Sequence, residues 1–111
     1  MAQRPTADFP PGYALASKRV AQQRRPVRFM YRESPDNEQD SGWRFFSGDE
    51  DQTYADDPDN IGLYSVGTIA EIDPSVIPFL NTEPPCAFER DRVDQSFRAS
   101  EGYDFTPEEL G

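Results

Sequence analysis

The side chains able to do chemistry in this sequence are almost all carboxylates. Among 111 residues there are 21 Asp and Glu, 11 Lys and Arg, one Cys and no His. Without His there is no Ser–His or Cys–His nucleophile pair, no imidazole proton shuttle and none of the usual zinc sites. The single cysteine, Cys86, cannot form an intrachain disulfide or a thiolate cage, and a small apolar packing role is expected of it. The seven glycines are scattered, and none belongs to a phosphate-binding loop.

Carboxylates alone leave two chemistries to weigh. Asp49-Glu50-Asp51 and Asp56-Asp57-Pro58-Asp59-Asn60 supply oxygen donors for a hard cation, but calcium-loop spacing is absent. Counted from Asp49, the turn position is Tyr54 instead of glycine; counted from Asp36, it is Ser41. General acid–base work needs a carboxyl raised by apolar burial, which adjacent acids in a polar loop do not suggest. The expectation is a chain that acts by binding, with no enzymatic activity, metal or cofactor. A carboxylate enzyme or metal protein is the third-ranked class, behind two kinds of binding protein.

Net charge is −10 and unevenly placed. Residues 1–32 carry seven bases and one acid; residues 33–111 carry four bases and twenty acids. Such a chain repels nucleic acid and anionic lipid at long range and favours basic proteins. The segment Phe29–Asn60 interleaves ten acids with Tyr31, Trp43, Phe45, Phe46 and Tyr54, and its only bases are Arg32 and Arg44. Rings beside carboxylates suit a Lys- or Arg-rich partner, through cation–π contact and charge-assisted hydrogen bonds. The candidate partner-binding residues are therefore Asp36, Glu38, Asp40, Trp43, Asp49, Glu50, Asp51, Tyr54, Asp57 and Asp59. The two acidic loops flanking Trp43–Ser47 are expected on one side of a sheet. The structural alternative is that these acids cap turns and pair with Arg28, Arg32 and Arg44. Phe29, Tyr31 and Phe45 are assigned to the core, whereas Trp43 and Tyr54 suit either role.

These residues need elements to position them. Tyr13–Ser17 reads as a strand, with Ser17 capping a short helix through Lys18–Arg24 that Pro26 stops. Val27–Arg32 alternates, placing Val27, Phe29 and Tyr31 on one face. Trp43–Ser47 forms the next strand, with Trp43 and Phe45 on one face and Phe46 opposite, pairing with the previous one as an antiparallel hairpin. Ile61–Val66 is a third strand, Thr68–Ile72 a helical turn or two, and Val76–Leu80 another turn capped by Asp73 or Ser75. Cys86–Arg90 is a short strand. The reading is α+β: a small antiparallel sheet of three to five short strands with a few short helices. Residues 1–13 are expected to be a mobile arm, 14–90 the folded domain, and 91–111 a loosely docked tail. No run approaches the roughly 20 apolar residues of a membrane span or looks like a secretory signal, so a cytoplasmic monomer is expected.

The run FMYRESPDNEQDSGWRFFSGDEDQTYADDPDNIGLY at positions 29–64 resembles a bacterial family described as immunity-protein thirty-three-like. Ala16–Val20 is similar to that family's opening. Thr68-Ile69, Asp73–Leu80 and Ala87–Arg90 are similar to its close, so the likeness covers about residues 14–90. The resemblance implies an α+β fold and an antidote to a toxin domain, with no catalytic residues. A housekeeping or regulatory binding module without a toxin partner is the alternative.

Overall fold

A computed structural model describes residues 12–100. Most of the expected arm, and the tail beyond Ser100 with Tyr103 and Phe105, lie outside the described residues. The strands are β1 (Tyr13–Ser17), β2 (Phe29–Arg32), β3 (Asp40–Phe46), β4 (Ile61–Ser65), β5 (Cys86–Glu89) and β6 (Arg98–Ala99). Between them run α1 (Lys18–Ala21), α2 (Gln52–Asp56) and α3 (Val66–Ile72), and two 3₁₀ segments, Pro58–Asn60 and Pro74–Phe79.

Each helical segment starts where a short polar side chain can take an orphan backbone N–H. Ser17 accepts from Val20, Asp51 from Tyr54, Asp57 from Asp59, Ser65 from Thr68 and Asp73 from Ser75. Helix α1 ends at Ala21, short of the expected Arg24, and Arg24 itself adopts a left-handed φ of 58° ahead of Pro26. In α3, Val66, Ile69 and Ala70 occur at helical spacing and are all buried.

The strands form one sheet in the order β4-β1-β3-β2-β5-β6. The expected hairpin is present, with Phe29 opposite Phe46 and Arg32 opposite Trp43. Two features differ from expectation: the sheet has six strands, and it is mixed, because β1 lies parallel to β3. Burial explains the mixture. Six of the seven residues of β3 are buried, so its backbone needs partners on both edges. The hairpin supplies one, β2, and the small Ala14 and Ala16 let β1 supply the other beneath the helices.

One sheet face carries the core. Ala14, Ala16, Met30, Trp43 and Phe45 meet Val20, Val66, Ile69, Val76 and Leu80. An aromatic chain crosses it: Phe45 stacks on Trp43 at 5.8 Å, Trp43 on Phe88 at 6.5 Å, Phe88 meets Phe79 at 4.9 Å, and Phe79 meets Phe97 edge-on at 5.6 Å. Phe29 and Tyr31 are not core. The alternation breaks after Val27, whose N–H is held by Asp73, so Met30 takes the core face. Phe29 and Tyr31 point to the opposite face with Phe46.

Phe97 closes the core from beyond the segment read as the domain. It is 7% exposed, and Arg90 lies over its ring at 4.2 Å. Phe97→Ala should therefore cost about 3 kcal/mol, read as a lowered urea midpoint with an unchanged slope; a shift too small to measure would show that residues 91–100 contribute nothing to folding.

Candidate interaction surface

The acidic residues separate by what already holds them. Asp40 is buried against Arg44, whose side chain is 3% exposed. Arg44 Nη1 and Nη2 fork onto the two carboxylate oxygens at 2.9 and 3.0 Å, and its Nε donates to Glu33 at 2.8 Å. The backbone N–H groups of Asp36 and Gly42 complete the Asp40 shell. Gly42, at φ 88°, also lets the Glu33 backbone pass close by, since a Cβ there would collide with the Glu33 carbonyl. Burial works to raise the Asp40 pKa, but Arg44 and the two backbone donors outweigh it and bring it from 3.8 to about 2. The Arg44 guanidinium is correspondingly held in its charged form.

Glu50 is the second structural acid. It accepts from Ser17 Oγ at 2.5 Å and Ser47 N at 2.8 Å on one oxygen, and from Gly48 N at 2.9 Å on the other. Burial pushes its carboxyl up, and these donors pull it below the usual range. Asp49 is hydrogen-bonded by the Ser47 hydroxyl and paired with Arg19 at 3.1 Å and Arg25 at 2.6 Å; together they lower its pKa. Arg19 also lies 4.2 Å above the Tyr54 ring, so Tyr54 is half-buried beneath an internal cation.

The two loops do not share a side. Asp40 pairs with Tyr13 at the start of β1, whereas Glu50 binds Ser17 at its end. Since β1 and β3 are parallel, the loops lie at opposite ends of β3, roughly 20 Å apart by strand rise. Trp43, fully buried with its Nε1 donating to Leu80 O at 3.0 Å, presents no surface to a partner. The structural alternative holds in part. Arg44 pairs with acids, but Arg28 donates to the carbonyls of Ser47 and Asp91, and Arg32 to those of Ser41 and Thr82.

Of the predicted site residues, Asp36, Glu38, Asp51, Asp57 and Asp59 are exposed and make no ion pair among the described residues. Sequence reasoning left out Asp56, also exposed. Asp51, Asp56, Asp57 and Asp59 cluster along α2 and the 3₁₀ turn that leads directly into β4. No Lys or Arg occurs anywhere from Phe45 to Glu89. On the sheet face away from the core, Leu63 of β4 is 62% exposed opposite Leu15 of β1. Across that face, Phe29, Tyr31 and Phe46 edge a shallow cleft of about 580 Å³ with Gln52, Ala55 and Glu89. The strand alternation that put Phe46 opposite Trp43 was the sequence signal for this face; nothing comparable flagged Leu63.

The family model of the immunity protein Imm33 domain matches residues 14–100. This chain belongs to the Imm33 immunity protein domain family. The match extends ten residues beyond the 14–90 read from the sequence and so takes in Phe97 and β6. No curated protein and no solved structure matches the chain. Among the described residues of this Imm33 domain, no group of His, Cys, Asp or Glu is arranged to hold a metal ion, and no helix is long and apolar enough to cross a membrane. Cys86 is half-buried, and burial raises its thiol pKa, which suits packing rather than nucleophilic attack.

The depressed carboxyls set the acid behaviour of the domain. At pH values between the unfolded and folded pKa of Asp40 the unfolded chain binds the proton and the folded chain does not, so stability drops as pH falls from about 4 towards about 2. Asp40→Asn should cost about 3 kcal/mol at neutral pH and flatten this acid limb, measured by urea titrations across pH. Glu50→Gln should cost about 1–2 kcal/mol, whereas Asp51→Asn, which keeps a capping side chain, should leave the midpoint in place. Equal effects at Glu50 and Asp51 would contradict the division between structural and exposed acids.

Proposed function

We propose that this Imm33 domain is a non-catalytic binding protein that neutralises a cognate toxin by protein–protein contact, using exposed carboxylates to receive a basic face. The observation that carries this reading is the charge of one stretch. From Phe45 to Glu89 there is no base, and Asp51, Asp56, Asp57 and Asp59 project from α2 and the adjoining 3₁₀ turn with no ion-pair partner among the described residues. Clustered like charges repel, and folding gains nothing from them; a basic surface converts that repulsion into attraction. At physiological salt the screening length is about 8 Å, so contact pairs stay effective while the net charge of −10 steers approach.

Asp36 and Glu38, at the other end of β3, add to steering without joining the same contact. Asp40, Trp43, Asp49 and Glu50 act by holding the fold, and Tyr54 by seating Arg19 beside α2. Complementary charge governs association more than dissociation, and a protective protein needs rapid capture.

The test begins with the chain as bait in its native cells. The captured protein, expressed alone, should arrest growth, and coexpression of this chain should restore it; capture of harmless proteins would favour a regulatory module. Asp56→Asn, Asp57→Asn and Asp59→Asn combined should slow association with the toxin about tenfold at low salt, reduce its salt dependence and leave the melting midpoint unchanged. Unaltered association would place the contact elsewhere.

A further inference from the structure

The two edges of the sheet are treated differently. At one end β6 is two residues long and carries Arg98, features that blunt an edge against pairing. At the other end β4, Ile61-Gly62-Leu63-Tyr64-Ser65, has five residues with no charge, no proline and no bulge in its pairing with β1. Among the described residues no strand lies outside it.

The alternation of the ladder fixes which backbone groups face outward. Val66 N donates to Gly12 O, one step beyond the Ser65–Tyr13 pair, and Tyr13 N donates the other way, to Gln39 O. Bonded and non-bonded pairs alternate in an antiparallel ladder. Gly62 and Tyr64 therefore bond to β1, and Ile61, Leu63 and Ser65 turn their backbone outward. The Ile61 N–H is already used by Pro58 O. This leaves Leu63 offering both N–H and C=O, flanked by the Ile61 C=O and the Ser65 N–H. The Leu63 side chain, 62% exposed, lies on the sheet face beside Leu15. Asp57 and Asp59 sit in the turn that runs directly into Ile61.

The geometry points to β4 as the docking edge for an extended, Arg- or Lys-bearing segment of the partner protein, which adds a seventh strand to the sheet. Main-chain bonds to Leu63 supply the grip, Leu63 and Leu15 take an apolar side chain on the open face, and the carboxylates of the adjoining turn take the basic ones. A second copy of this chain is the poorer occupant, since it brings another net charge of −10 and the same carboxylates to the edge. The inference rests on the reading of the chain as a binder of a basic partner and assigns that partner's mode of attachment.

The test uses the full chain labelled for amide NMR and three short synthetic peptides: one alternating arginine with valine, one alternating glutamate with valine, and a copy of the first methylated at alternate amide nitrogens. The first should shift the Leu63 and Ser65 amides and slow their hydrogen exchange; the other two should not. Leu63→Pro removes an outward N–H without touching the β1 ladder, and Leu63→Lys installs an edge guard at an exposed site. Each should weaken the arginine–valine peptide about tenfold or more with little change in melting midpoint. Absence of shifts at Leu63 and Ser65, equal binding of the methylated peptide, or a Leu63-dependent dimer by light scattering would each overturn the proposal. The same two variants separate this from the immunity reading. If both still protect cells from the captured toxin, the edge proposal fails and the immunity reading stands; if the unmodified chain gives no protection, the immunity reading fails and the peptide titration still decides the edge.

Discussion

Arg90 cannot be buried in so small a core unless each of its guanidinium nitrogens finds a partner, and meeting that condition ties the molecule together. Its Nε and Nη2 fork onto Val27 O at 3.0 and 2.8 Å, Nη2 also reaches Asp73 at 2.9 Å, and Nη1 reaches Gln95 O. Asp73 in turn takes Val27 N–H on one oxygen and Ser75 N–H on the other, starting the 3₁₀ segment below the sheet. Four stretches distant in sequence meet at this one ion pair: the approach to β2, the cap after α3, the end of β5 and the turn before Phe97. Such a pair adds little stability over an apolar replacement, but losing one partner costs about 3–5 kcal/mol because the other charge remains buried. Among the described residues, no buried side-chain nitrogen or oxygen lacks a hydrogen-bond partner. The constraint is therefore met throughout.

The same logic sorts the excess of acid. A carboxylate is stable inside or beside the core only where donors replace the water it loses. Asp40 has Arg44 and two backbone N–H groups; Glu50 has the Ser17 hydroxyl and two backbone N–H groups. Both sit at ends of β3, where strand backbone leaves donors uncommitted. Asp51 and Asp57 satisfy only local turns and keep their charge in solvent. Composition alone gives all of these residues the same weight; their neighbours decide which of them stabilise the fold and which remain for a partner.

That distinction marks how far the sequence could be read. Local signals carried well. Ser17, ahead of Lys-Arg-Val-Ala, begins a helix as its capping chemistry requires, β1 runs Tyr13–Ser17 as read, and the Trp43/Phe45 face is the core face. Failures arose where a distant segment set the outcome. The alternation through Val27, Phe29 and Tyr31 looked like one greasy face, but Asp73, far along the chain, captures Val27 N–H and shifts the phase. The parallel β1–β3 contact, and with it the separation of the two acidic loops, depends on the burial of β3 from both sides, and no spacing in the sequence encodes that. Trp43 suited either role by composition until Leu80 O, thirty-seven residues away, took its indole N–H.

The placement of charge relative to the sheet then bears on how such a chain holds a partner. Five of the seven basic side chains of residues 12–44 are consumed internally: Arg19 and Arg25 by Asp49, Arg44 by Asp40 and Glu33, Arg28 and Arg32 by carbonyls. What is left facing solvent along α2 and the following turn is negative, and it adjoins β4, an edge strand among the described residues that has neither charge nor proline to guard it. Coulomb attraction acts over a distance but is screened by salt and has little directionality. Backbone pairing acts only at contact and is strongly directional. An acidic turn leading into an unguarded strand puts the long-range and the short-range interaction within a few residues of each other, so a basic extended segment drawn in by the first arrives in reach of the second.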